Sequence, residues 1–150
     1  MLYTELTKKA MLLAWDMHFM SVDKGGMPYI FHPIAVAEMM GDDEYAVCVA
    51  LLHDIIEDTP MTIHQLSCMH FPVEIVEAVS ILTRRVDEKY MDYLVRIKEH
   101  QLARKVKLGD LKHNSDLGRL RSVDKEALSL QKRYKKAIAF LTDTENGQED

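Results

Sequence analysis

No stretch of this chain sustains an apolar–polar alternation of period two, which argues against folds built on sheets. Apolar residues recur instead at three- and four-residue intervals. Over 4–20, Leu6, Ala10, Leu13, Ala14 and Met17 share one helical face, and Thr4 stands where an N-cap belongs. The segment "SVDKGGMPYIFHP" breaks the pattern with Gly-Gly and Pro, and Pro33 suits the first turn of a helix over 33–40. Gly41-Asp42-Asp43 ends it and offers an acid to cap a helix over 43–57. Thr62 and Gln65 form a capping box, and Pro72 opens a helix over 72–83. Further helices are expected over 90–99, 101–117 and 124–141. The fold class is therefore all-α, a bundle of about seven or eight helices.

At 150 residues the chain is sized for one domain with a single core, expected over 1–142, with an acidic, disordered tail over 143–150. A net charge of −5 argues against a nucleic-acid partner. No apolar run approaches the roughly 20 residues of a membrane span, and the N-terminus lacks a signal-peptide pattern. Cys48 and Cys68 both lie in apolar helical segments and read as small buried thiols, at home in the cytoplasm.

The segment "VALLHDIIEDTP" is the chemical anomaly. On one continuous helix His53 falls below Glu57 and Asp54 below Asp58, in adjacent columns about 100° apart. Acids at a helix C-terminus oppose its macrodipole, and buried acids need a counter-charge. No Lys or Arg of that segment supplies one; a divalent cation would. His32 and Asp110, the latter flanked by apolar residues, complete a set of two nitrogen and two oxygen ligands with His53 and Asp54. That set suits Mn2+, Fe2+ or Zn2+ and leaves positions open for water and substrate. A carboxylate at Glu57 or Asp58 would orient or deprotonate that water. Lys24 is the cation best placed to meet a phosphate, whereas Lys107 and Lys112 read at least as well as a solvated helix face.

The order of "GGMPYIFHP", "VALLHDIIEDT" and "VKLGDLKHN", spread over residues 24–120, resembles the HD superfamily of metal-dependent phosphohydrolases. Within it, the closer resemblance is to the hydrolase domain of RelA/SpoT homologues and to small stand-alone alarmone hydrolases. The resemblance implies Mn2+ held by His32, His53, Asp54 and Asp110, with Glu57 and Asp58 activating the attacking water. It also puts Tyr29 and Asn114 beside Lys24 on the substrate side. The implied reaction is 3′-pyrophosphate removal from guanosine tetra- or pentaphosphate, without synthetase activity. The chain departs from the family pattern at Asp23, where a basic residue is usual, at Leu117 for a threonine, and at Gly109 for an alanine. Two alternatives stay open: an HD phosphohydrolase for another nucleotide or phosphoester, and a non-catalytic HD-fold regulatory module.

Overall fold

The computed structural model describes residues 1–143. They form an all-α protein whose elements run α1 (Glu5–His18), α2 (Phe31–Glu38), α3 (Glu44–Leu52), α4 (Ile55–Asp58), α5 (Ile63–Ser67), α6 (Val73–Leu82), α7 (Tyr90–Lys98), α8 (Gln101–Asn114), a short 3-10 helix (Leu117–Arg119) and α9 (Lys125–Thr142). Among the described residues there is no strand, only an isolated bridge between Val22 and Pro28 that pins the glycine loop. The expected tail lies outside the described residues, apart from Asp143. No described helix is long and apolar enough to cross a membrane.

α3 is the axis of the molecule. Every residue from Ala46 to Leu52 is buried, so this helix is apolar on all sides rather than striped. It packs against α1, α2, α6 and α8. Asp43 starts it by accepting the Ala46 N–H at 3.1 Å. Fully burying one Leu contributes roughly 1.5–3 kcal/mol, so removing Leu51 or Leu52 would damage the core most directly.

The helix expected over 43–57 is split. α3 ends at Leu52, and Asp54 sits at φ −101°, ψ 3° before α4 begins. His53 causes this locally: its ring folds back and Nδ1–H donates to the Ala50 carbonyl at 2.6 Å. That carbonyl is the acceptor a continuing helix would give to the Asp54 N–H. The His53/Glu57 and Asp54/Asp58 columns are therefore not stacked on one straight helix. Other starts fall where capping chemistry puts them: Thr4 with Thr7 at α1, Thr62 with Gln65 at α5, and Asp124 at α9. The paired expectation for the cysteines holds for Cys48, which is buried, and fails for Cys68, which is exposed at the C-cap of α5. α5 is only one turn long and turns a single residue, Leu66, fully inward.

Candidate metal and substrate site

Three elements bring the expected ligands to one point. α2 presents His32 within its first turn, the α3–α4 break presents His53 and Asp54, and the middle of α8 presents Asp110. Ligand atoms of His32, His53 and Asp110 all lie within 4.8 Å of one another, and all three side chains are buried. Asp54 joins them with Oδ2 at 3.1 Å from His53 Nε2 and 3.8 Å from His32 Nε2. His32 Nε2 is 2.9 Å from Asp110 Oδ1, and His53 Nε2 is 3.4 Å from the same oxygen.

The electrostatics of this cluster call for positive charge. Burial opposes charging His53, yet Asp54 and Asp110 outweigh it and hold its pKa well above the usual imidazole value. Burial also pushes both carboxyl groups up, but His53 holds Asp54 below its ordinary value, and Lys107 with the two histidines holds Asp110 well below. His53 Nε2 nevertheless makes no hydrogen bond of acceptable geometry, although carboxylate oxygens stand beside it. With Nδ1–H committed to Ala50, that nitrogen faces the carboxylates of Asp54 and Asp110. A buried polar atom left in this way is rare in native proteins, and a divalent cation would satisfy it and both acids at once. The residues fit a metal.

The surroundings fix these side chains. Tyr29 O–H donates to Asp54 Oδ2, and burial together with Asp54 raises the phenol's pKa so that it stays protonated. Asn114 Nδ2 donates to Asp110 Oδ1 at 2.9 Å. Lys107 Nζ donates to Asp110 Oδ2 at 2.8 Å and lies 5.3 Å from the Tyr93 ring centre. This corrects the solvated-face expectation for Lys107, whose side chain is only 15% exposed; Lys112 is exposed as expected. His113 was not singled out from the sequence, yet its Nδ1 is 2.7 Å from His32 Nδ1. Its position three residues after Asp110, on the same face of α8, is the signal that points to it. Burial, helped by Arg119, pulls its pKa down to about 4, so it is neutral at pH 7 and keeps a lone pair for His32.

A cavity of about 770 Å³ opens beside the cluster. Lys24, Tyr29, His32, Asp54, Asp110 and Asn114 line it, so all three expected substrate-side residues border the same space as three of the expected ligands. Arg119, Arg121 and Arg133 also line it, with Tyr90 and Tyr134. Arg133 stacks on Tyr90, 3.9 Å from the ring centre. These arginines bring positive charge to a lining that also carries Asp116, Asp124 and Glu126, and none of them carries a distinguishing motif in the sequence. The volume suits a nucleotide-sized ligand.

Glu57 and Asp58 do not line this cavity. Both are exposed on α4, within electrostatic reach of the cluster. Glu57 Oε1 accepts the Arg84 backbone N–H at 2.5 Å. Partial desolvation of the carboxyl groups, and then Asp54, raises both carboxyl pKa values.

Fold and site together define an all-α domain with His32, His53, Asp54 and Asp110 gathered at one end of a central helix. Comparison with known proteins narrows the class. The chain is 36% identical over 81 residues to a probable guanosine-3′,5′-bis(diphosphate) 3′-pyrophosphohydrolase of Synechocystis sp., covering 51% of this chain and 11% of that protein. It is 48% identical over 58 residues to the guanosine-3′,5′-bis(diphosphate) 3′-pyrophosphohydrolase of Haemophilus influenzae, covering 37% and 9%. The chain thus spans about a tenth of the length of these relatives. A solved structure described as a metazoan ortholog of SpoT that hydrolyzes ppGpp superposes with a TM-score of 0.78 at 20% identity, covering 98% of this chain and 90% of that one. No family model matches. The resemblance to the RelA/SpoT-type hydrolases implied by the motifs is therefore found in both sequence and fold.

Proposed function

We propose that this chain is a metal-dependent phosphohydrolase that removes the 3′-pyrophosphate of guanosine tetra- or pentaphosphate, with Mn2+ as its ion and the cytoplasm as its compartment. The observation that carries the reading is the buried His53 Nε2, facing two carboxylates without a partner. His32, His53, Asp54 and Asp110 would hold the ion, and relatives named for this reaction support the substrate.

When bound, the ion supplies Lewis acidity toward a phosphoryl oxygen and lowers the pKa of water. The protein does the rest. For His32 to offer Nε2 as a ligand, its proton must sit on Nδ1, and neutral His113 accepts that proton's hydrogen bond and selects the tautomer. Tyr29 and Asn114 orient the carboxylates of Asp54 and Asp110. Lys24, Arg119, Arg121 and Arg133 offset the charge of a polyphosphate in the cavity. Glu57 and Asp58 orient the attacking water and take up its proton, a role their raised pKa values suit.

The test is pyrophosphate release from guanosine tetraphosphate with Mn2+, run beside a panel of other nucleotides. Turnover of the alarmone above the panel is expected; absence of turnover with metal bound would overturn the enzymatic reading. Replacing Glu57→Gln together with Asp58→Asn should lower the rate at least about 100-fold and leave Mn2+ affinity unchanged. A second reading keeps the chemistry and changes the nucleotide. It is favoured by Asp23, whose carboxylate is occupied inside the protein by Gly25 N–H, Met27 N–H and Arg119. The panel separates the two.

A further inference from the structure

The glycine loop and the last ligand lie far apart in the chain, and side chains connect them. Asp23 Oδ1 accepts the N–H groups of Gly25 at 2.8 Å and Met27 at 3.0 Å, which shapes the loop. Its other oxygen, Oδ2, is 3.6 Å from Arg119 Nη2. Arg119 Nη1 donates to the His113 carbonyl at 3.0 Å and to Asn114 Oδ1 at 3.2 Å. Asn114 Nδ2 closes the path by donating to Asp110 Oδ1 at 2.9 Å. The backbones also touch here. A Cβ on Gly25 would stand 2.6 Å from the Arg119 carbonyl oxygen, so loop and 3-10 helix dock at a distance only glycine permits.

We infer that Arg119 is a positioning residue that couples the glycine loop to Asp110 through Asn114, so that the loop wall of the cavity and the metal cluster set each other's geometry. Three properties support this. The guanidinium meets acceptors from two segments of the chain through two of its nitrogens, which lysine's single ammonium cannot reproduce. It is mostly withdrawn from solvent, 24% exposed against 16% for Asp23, so the pair is less screened than a surface ion pair. Asn114 has its carbonyl fixed by Arg119 and its amide by Asp110, so displacing either partner shifts the other. The path does not depend on which nucleotide enters, but its end at Asp110 rests on the proposed metal site.

Site-resolved hydrogen exchange of the full chain tests it, with and without Mn2+. In the metal-free protein, Arg119→Lys and Asn114→Ala should each speed exchange of the Gly25 and Met27 amides about threefold or more, with core amides of α3 unchanged. Asp23→Asn keeps the oxygen that shapes the loop and removes the charge toward Arg119; it should reproduce the Arg119→Lys effect. If Arg119→Lys acts and Asn114→Ala does not, the path stops at Arg119 and the inference is overturned. In the wild type, Mn2+ should slow exchange of the same two amides, and in Arg119→Lys it should bind without slowing them. Equal slowing in both proteins would also overturn the inference. A wild type that binds no Mn2+ would defeat the metal reading, and the metal-free arm would still decide the coupling.

Discussion

At the residue scale, the cluster of His32, His53, Asp54 and Asp110 depends on side chains outside the proposed ligand set. His113 is the clearest case. A histidine that ligates through Nε2 needs an acceptor at Nδ1, and here that acceptor is a second imidazole kept neutral by burial. His113→Leu removes the acceptor and should weaken Mn2+ binding about 10–100-fold, while His113→Asn places a carbonyl oxygen close to the Nδ1 position and should retain most of the affinity. Titration of the two variants by calorimetry checks this; equal affinities would show that His32 needs no partner. The proposed ligands stand out in the sequence because their types are rare inside helices: His53-Asp54 between leucines and isoleucines, and Asp110 among apolar neighbours. The supporting residues were less so. Lys107 and His113 lie three residues either side of Asp110 on α8, and that spacing marked one face, but a lysine or histidine on a helix is ordinarily solvated. Arg119 is invisible from sequence, since its partner Asp23 approaches only through the tertiary fold.

At the scale of elements, capping chemistry and apolar spacing located nearly every helix, because those signals are local. The break at His53–Asp54 could not be read the same way. It arises from one side chain competing for a backbone acceptor, and nothing in the apolar pattern marks it. Gly109 shows a second limit. Its cost as a mid-helix glycine was readable, but its packing was not: a Cβ there would meet Met40 Cε at 2.9 Å and Val36 Cγ1 at 3.2 Å across the α2–α8 contact. Alanine would gain about 1 kcal/mol of helix propensity and lose a similar amount to this crowding. Gly109→Ala alone should therefore change stability by less than about 1 kcal/mol, whereas in a Met40→Ala background it should stabilise by up to about 1 kcal/mol. Urea unfolding of the four proteins in this cycle measures it. The same gain in both backgrounds would mean that the Met40 methyl moves aside freely and does not limit how closely α8 approaches α2.

At the scale of the whole molecule, the site is tied to the core through α3, which is buried along its length and runs directly into His53 and Asp54. Cys48 sits midway along it and reports on the integrity of that core. Burial raises its thiol's pKa to about 12, so in the folded protein it is both hidden and protonated, while Cys68 is exposed. A thiol reagent at pH 8 should modify Cys68 at once and Cys48 only through molecules that have opened globally. Any ligand that binds only the folded state lowers the open population by a factor of one plus its concentration over its dissociation constant. At a Mn2+ concentration of 100 times its dissociation constant the native state gains about 2.7 kcal/mol, equivalent to roughly 100-fold slower labelling of Cys48. Labelling of Cys68 should be unaffected, which separates the linkage from any effect of the ion on the reagent. If Cys48 reacts as fast as Cys68, α3 is not the closed centre of the fold. If Cys48 is slow but indifferent to bound Mn2+, the ion also binds the unfolded chain, or α3 opens without disturbing the proposed ligands; His53 would then not be coupled to the helix that carries it.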